Sequence, residues 1–377
     1  MTPNKRLPTN RSTGQLLILG FDGTEMTPLL DSLLTRIQPA GVILFARNIV
    51  NAQQTHRLLK DCQSNVRQPL FTCVDLEGGK VDRFRNVTGP APSAADVFAT
   101  GDPKLYRKHG QIIGQSCRAL GFNLDFTPVL DLAFKASRKV MSSRAVSIDP
   151  KAVVLYAREF LAGLESAGVI GGGKHFPGLG EGNLDSHHDL PVIRKSFKHL
   201  WEADLVPYRT MRRELPMVMV NHANYPLVTR DTIPASLSKK WITDVLRRRI
   251  GYRGLIVSDD LEMGGVLKAA PVEQAAVEFI RAGGDLCLIC HQLDLAERAL
   301  ESVVRESEKN ASFRRRAQES VKRVARFKGK SATLLRRGPA PTAEKISRLS
   351  TQLWEFSEQI RLRQLIAVAG SAAGAGS

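Results

Sequence analysis

Eight short, almost uninterrupted apolar runs recur along the chain, separated by longer stretches of helical periodicity. The runs are Leu16–Gly20, Gly41–Phe45, Leu70–Asp75, Asn123–Leu130, Val169–His175, Met217–Asn221, Leu255–Ser258 and Leu286–Cys290. Strict apolar–polar alternation marks strands wet on one face, whereas continuous runs mark strands buried on both, the condition of a parallel sheet. Between them, Leu105–Leu120, Ala152–Ala167 and Leu237–Arg249 are amphipathic, and Pro234 followed by Ser236 and Ser238 supplies a helix start for the third. Strand–helix alternation on this scale predicts an α/β fold, a closed (β/α)8 barrel of TIM type rather than an open doubly wound sheet. No G-x-G-x-x-G follows the first run, which removes the main support for a dinucleotide-binding sheet.

At 377 residues the chain accommodates one such barrel with additions. We divide it into a tail at 1–13, a catalytic barrel at 14–330 and a C-terminal extension at 331–377. The extension holds a candidate helix, Ala343–Val368, and ends in a small-residue stretch, Ala369–Ser377, expected to be disordered. A content of 43% hydrophobic and 24% charged residues fits a globular enzyme with a sizeable core.

The formal net charge of +17 raises a nucleic-acid partner for consideration. The charge gathers in short helical stretches, Arg247–Arg249, Arg314–Arg316, Lys322-Arg323 and Lys328–Arg337. These lack the interleaved aromatics and recognition spacing of nucleic-acid modules, so they are read as solvated helix faces and no nucleic-acid partner is expected. The five cysteines are scattered and odd in number, so no disulfide framework is implied. Cys287 and Cys290 form a lone C-x-x-C inside an apolar run, read as strand packing; neither a metal nor a cofactor is expected. The start of the chain is polar, and no run reaches the ~18 apolar residues of a membrane span. A cytoplasmic protein, monomeric or weakly dimeric, is expected.

In a parallel barrel, chemistry sits where the strands end. The third run ends at Asp75, followed by Glu77-Gly78-Gly79 and Arg83. After the fourth come Asp131 and Arg144, and after the fifth Lys174-His175-Phe176-Pro177-Gly178, leading to Asp185-Ser186-His187-His188. The sixth gives Asn221-His222 and the seventh Ser258-Asp259-Asp260. Asp259 at a strand tip suits attack on an anomeric carbon while a second group protonates the leaving oxygen. Asp185 beside His187 suits that second role, because a carboxylate fixes the imidazole tautomer and raises its basicity. A rival metal hydrolase built on His175, His187, His188 and His222 lacks any H-x-H or H-E-x-x-H spacing.

The segment Lys174–Gly178 followed by Asp185-Ser186-His187 resembles the signature of family 3 glycoside hydrolases, in its single-domain β-N-acetylglucosaminidase branch. Val245-Leu246-Arg247 through Gly254–Asp259 resembles that family's nucleophile motif. Gly41–Phe45, Asp75–Gly79, Pro234–Ser238 and Ala282–Asp285 add to the likeness, which covers roughly Gly14 to His291. The resemblance implies Asp259 as nucleophile, His187 as general acid/base on a loop, and Asp185 as its dyad partner. It further implies substrate binding by Asp75, Arg83, Arg144, Lys174 and His175, with a small carbohydrate or muropeptide substrate taken from peptidoglycan recycling. Family members with β-glucosidase activity carry the acid/base on a glutamate in a second domain, for which the sequence after the barrel is too short. The chain departs from the family's common form at Gly178-Leu179-Gly180-Glu181-Gly182 and around Val140–Ala145.

Plainer readings stand beside these. Asp260 points opposite to Asp259 by strand alternation. His188 is a loop residue without chemistry, His222 either bonds at the barrel top or meets ligand, and Glu77 anchors the tight turn its glycines form. Alternatives to hydrolysis are phosphorolysis of the same linkage, β-glucosidase activity, and a non-enzymatic, basic polymer-binding barrel.

Overall fold

Each of the eight apolar runs marks a strand, the fifth and seventh strands running one and two residues past theirs. They are β1 (Leu17–Leu19), β2 (Gly41–Ile43), β3 (Phe71–Val74), β4 (Leu124–Asp125), β5 (Ile170–Phe176), β6 (Met217–Val220), β7 (Leu255–Asp260) and β8 (Leu286–Ile289). In the computed structural model, which describes residues 12–137, 141–180, 190–335 and 338–374, all pair in parallel in sequence order. The ring closes where Leu17, Ile18 and Leu19 of β1 meet Cys287, Leu288 and Ile289 of β8. The predicted (β/α)8 barrel is the fold observed.

The helices that follow the strands are α1 (Pro28–Ile37), α2 (Ala52–Ser64), α3 (Pro103–Leu120), α4 (Pro150–Ser166), the short α5 (Phe197–Glu202) and α6 (Val206–Thr210), α7 (Lys240–Arg249), α8 (Val272–Ala282) and α9 (Leu293–Lys309). Two of them begin with the same local device. Asp102 and Asp149 each precede a proline at the first helical position, and each carboxylate accepts the N–H two residues on, at 2.9 Å. Such a cap satisfies an otherwise unpaired donor and contributes about 1 kcal/mol.

Two differences from the sequence expectations have physical causes. The fourth run contributes a two-residue strand, because Pro128 has no N–H to extend the ladder toward β3, while toward β5 the Thr127 and Pro128 carbonyls still accept from Gly172 and Lys174. The helix start read at Ser236 and Ser238 falls on a tight turn, Ala235–Leu237, because the Ser236 hydroxyl is engaged by His222 Nδ1 at 2.7 Å and caps nothing. α7 then winds with i→i+5 bonds, ending with Ile250 N–H on the Val245 carbonyl. The C-terminal helix runs past Val368 to Gly374, and residues 375–377 of the expected tail lie outside the described residues.

The barrel interior is packed, not hollow: Ile18, Ile43, Phe71, Phe126, Met217, Met219, Leu255 and Val257 form one buried cluster. Cys287 and Cys290 are buried free thiols in this wall, the packing role read for the pair. Helix α10 (Ala311–Lys330) closes the floor, at the strands' N-terminal ends, sending Val324 into that cluster. Its Lys328 is buried, donates to Gln15 Oε1 at 2.9 Å and to the Ala40 carbonyl at 2.7 Å, and lies 4.9 Å from the Phe71 ring. Burial with no carboxylate beside it brings the amine down to about 7. Nearby, the buried carboxylate of Asp285 accepts from Ile256 N–H, Ser320 Oγ and three arginines, Arg247, Arg316 and Arg323. Helix α11 (Ala343–Gly374) straps the outer wall with Leu349, Leu353, Phe356 and Ile360. No helix among the described residues is long and apolar enough to cross a membrane.

Candidate active site

At the C-terminal ends of β3 and β5, and on the loops that follow β3 and β4, four charged side chains lock together. Lys174, on β5, sends its ammonium to Asp75 at 2.6 Å and to Glu77 at 2.7 Å. Arg144 grips Glu77 with two parallel bonds, Nε to Oε2 at 2.7 Å and Nη2 to Oε1 at 2.8 Å. Burial acting alone would raise the Glu77 carboxyl, but Arg144 and Lys174 hold it well below the usual carboxylate range. Asp75 and Glu77 likewise keep the Lys174 ammonium above its ordinary value despite burial. Glu77 is therefore more than a turn anchor. Gly78 and Gly79 do adopt left-handed backbone (φ 80° and 58°), yet the carboxylate itself serves the two cations.

His175 is held at both nitrogens. Nδ1 faces the Asp131 carboxylate at 2.6 Å and Nε2 faces Arg144 Nη2 at 3.3 Å. A guanidinium has no lone pair to give, so Nδ1 carries the proton and Nε2 accepts. The other Asp131 oxygen takes the N–H of Leu179 at 2.6 Å, which fixes the start of the loop after β5. Asn221, after β6, donates to the His175 carbonyl at 3.0 Å and braces the same segment. Below them Asp125 accepts from Leu76 N–H and Thr127 Oγ1, and burial pushes its carboxyl up to about 8.

Asp259 stands at the tip of β7. One oxygen accepts the Asp260 N–H at 2.9 Å, and the other has no hydrogen-bond partner among the described residues. Burial would raise its carboxyl; His175 and His222, then the Asp260 N–H and Lys174, outweigh burial and lower it. The ladder slips in register between Gly173 and Phe176 on β5 and between Val257 and Asp260 on β7. Each irregularity spans a pair of polar strand-end residues, Lys174-His175 and Ser258-Asp259, and bulges of this kind re-aim side chains at barrel rims.

Asp260 turns elsewhere: one oxygen takes the Glu262 N–H at 3.0 Å and the other lies 3.4 Å from His291 Nε2. His222 donates from Nε2 to the Asp260 carbonyl at 2.9 Å and accepts at Nδ1 from Ser236, which occupies both nitrogens. Of its two readings, the structural one is what the geometry shows. Arg83 lines the opposite rim with its guanidinium 5.6 Å from the Phe45 ring, and its buried Nε has no partner among the described residues. Asp185, His187 and His188 lie outside the described residues.

Asp131 and Asn221 stand among the strand-end residues of the sequence but carried no assigned role there, and neither Asp125 nor the Phe45–His291 stack at 5.8 Å was indicated. Strand-end placement signalled the first two, and nothing local signalled the stack. No group of three or more His, Cys, Asp or Glu side chains among the described residues is arranged to hold a metal ion. The mouth thus offers cations with N–H groups to spare, fixed imidazoles and one carboxylate with an open oxygen, a setting for a hydroxyl-rich ligand beside a nucleophile.

Comparison with known proteins follows the same line. The profile of the "Glycosyl hydrolase family 3 N terminal domain" matches residues 9–327. A beta-hexosaminidase of Bordetella avium is 39% identical over 269 residues, covering 69% of this chain and 76% of the relative. One from Alkalilimnicola ehrlichii is 38% identical over 282 residues, covering 73% and 80%. Among solved structures, a family 3 β-N-acetylglucosaminidase from a Paenibacillus species superposes with a TM-score of 0.85 at 31% identity, over 93% of this chain and 69% of that one. A β-N-acetylhexosaminidase from Beutenbergia cavernae gives 0.78 at 25% identity, over 86% and 100%.

Proposed function

Because the chain belongs to glycosyl hydrolase family 3, we propose that it removes terminal β-linked N-acetylglucosamine from peptidoglycan fragments in the cytoplasm, with retention of configuration. It is a glycoside hydrolase of the β-N-acetylglucosaminidase type, in line with the names its relatives carry.

Asp259 attacks the anomeric carbon as the bond to the aglycone oxygen breaks, and His187, oriented by Asp185, gives that oxygen its proton. Water then attacks the same carbon of the glycosyl-enzyme, passes a proton to His187 and releases Asp259 as a carboxylate. Asp75, Arg83, Arg144, Lys174 and His175 bind the sugar. Two of the three Lys174 N–H groups are taken by Asp75 and Glu77, which leaves one for a hydroxyl.

The observation that carries this reading is the state of Asp259: its pKa is lowered, so the group is ionised at neutral pH, and one oxygen has no hydrogen-bond partner among the described residues. Asp259→Ala is expected to lower kcat on a chromogenic N-acetylglucosaminide by at least ~10³-fold, the scale of losing an activated nucleophile. Wild-type turnover in that variant removes Asp259 from the role. Proton NMR of the first product settles the stereochemistry, since an initial α-anomer contradicts retention. For His187→Ala the pH–rate profile is the check: an unchanged basic limb and rate assign the proton transfer to another group.

A further inference from the structure

At the floor of the barrel, α7, α8 and the first turn of α10 border an open depression of about 460 Å³. Seven cationic side chains line it, against a single acid, Glu319. Arg247, Arg316 and Arg323 converge on Asp285, which has one charge to set against three. Arg248 is paired with Asp244, and Arg281 with Glu278 and Glu306. Lys239 and Arg253 are exposed and meet no carboxylate among the described residues. Even when every neighbouring acid is credited to the group, two positive charges stay unmatched. Burial is the main reason the Arg247 pKa is lowered; Asp285 opposes it, and Arg323 and Arg316 add to it. Nε of Arg247 and Nε of Arg316 are buried without an acceptor among the described residues.

We propose that this depression binds a small, multiply charged phosphate anion, such as an inorganic pyrophosphate or a phosphorylated sugar, on the face opposite the substrate mouth. Three observations select the class. Arg323, oriented by its bond to Asp285, and the exposed Arg253 present guanidinium edges that match phosphate oxygens, whereas Arg247 and Arg316 spend their terminal donors within the protein. The volume falls within the roughly 300–1,000 Å³ of small-ligand sites. The aromatic rings here, Phe313 and Tyr252, are buried, so no face is open to stack a base, which argues against a nucleic acid. The first turn of the 20-residue α10 borders the depression and adds the positive end of its dipole.

The test is calorimetric titration of the full chain with inorganic pyrophosphate at fixed ionic strength. Lys239→Glu/Arg253→Glu reverses the two unmatched charges, and Lys239→Arg/Arg253→Lys keeps them. Neither residue touches the substrate mouth, so N-acetylglucosaminide turnover is expected to be equal in all three proteins and reports an intact fold. Wild type should bind saturably, the reversed variant at least about tenfold more weakly, and the conservative variant within about twofold of wild type. Absence of saturable binding, equal affinity in the reversed variant, or sulfate binding as tightly as pyrophosphate overturns the proposal. So does a single-stranded RNA that binds more tightly than pyrophosphate and competes with it, since the depression would then be part of a polymer surface.

Discussion

At the mouth of the barrel, Lys174 and Arg144 share Asp75 and Glu77 and keep donors in reserve, whereas at the floor Asp285 gathers three arginines, a serine and a backbone N–H around one carboxylate. Both groups are buried, and both join segments far apart in sequence. What separates them is spare bonding capacity. Asp259 has an oxygen without a hydrogen-bond partner among the described residues. Asp285 has no lone pair to spare, and its bonds tie β7, α7 and α10 together. Depth of burial therefore does not distinguish a charge kept for a ligand from one kept for the fold; unfilled valence does. This agrees with the rule that barrel chemistry lies at the strands' C-terminal ends and stability at the other face.

The comparison breaks most visibly at Asp285. Asp285→Ala leaves three guanidiniums without their buried acceptor and is expected to cost about 3–5 kcal/mol of unfolding free energy. In urea titrations the midpoint should fall steeply while KM of the folded enzyme is unchanged. A variant with wild-type stability and impaired KM would place Asp285 with the mouth instead.

Glu77→Gln tests the other end. It removes the charge that aligns Lys174 and Arg144, and kcat/KM should fall about 100-fold, as for a misplacement of ~1 Å. There is a pH signature as well. Because the folded-state pKa of Glu77 lies below its unfolded value of 4.5, the stability it adds is fully present above that value. It is lost as pH falls through the lower folded value, so the variant should show a shallower acid-side decline than wild type.

A third effect, seen only through its pH dependence, is expected at Lys328, whose folded-state pKa is lowered from 10.5 to about 7. Between those values the unfolded chain binds the extra proton, so wild-type stability should rise with pH across that window. Lys328→Met should flatten the rise. A slope unchanged by the substitution would mean that Lys328 titrates as it does in water.

Much of this was legible in the sequence. Continuous apolar runs located all eight strands, because burial on both faces leaves no alternation to obscure them. Strand-end position nominated Asp75, Lys174, His175 and Asp259, whose side chains share one charged mouth. The destination of a carboxylate was not legible. The glycines after Glu77 announced a turn, but Arg144 stands 67 residues away and no local pattern names it. Ser236 looked like a cap until His222 was found to hold it. The fourth run hid its proline-induced exit from the ladder toward β3, since Val129 and Leu130 are as apolar as any strand residue.

The seam between β1 and β8 also bears on how the molecule assembles. The ring has no free edge only once Leu17 and Cys287 are paired, and Lys328 ties the floor to Gln15 across 313 residues. Contacts of such sequence separation carry a large loop-closure cost and form late. A nascent chain that has not yet delivered β8 therefore holds two unpaired strand edges, the surfaces along which unfinished sheets join one another. During synthesis, the arrival of the last strand is the step that ends that exposure.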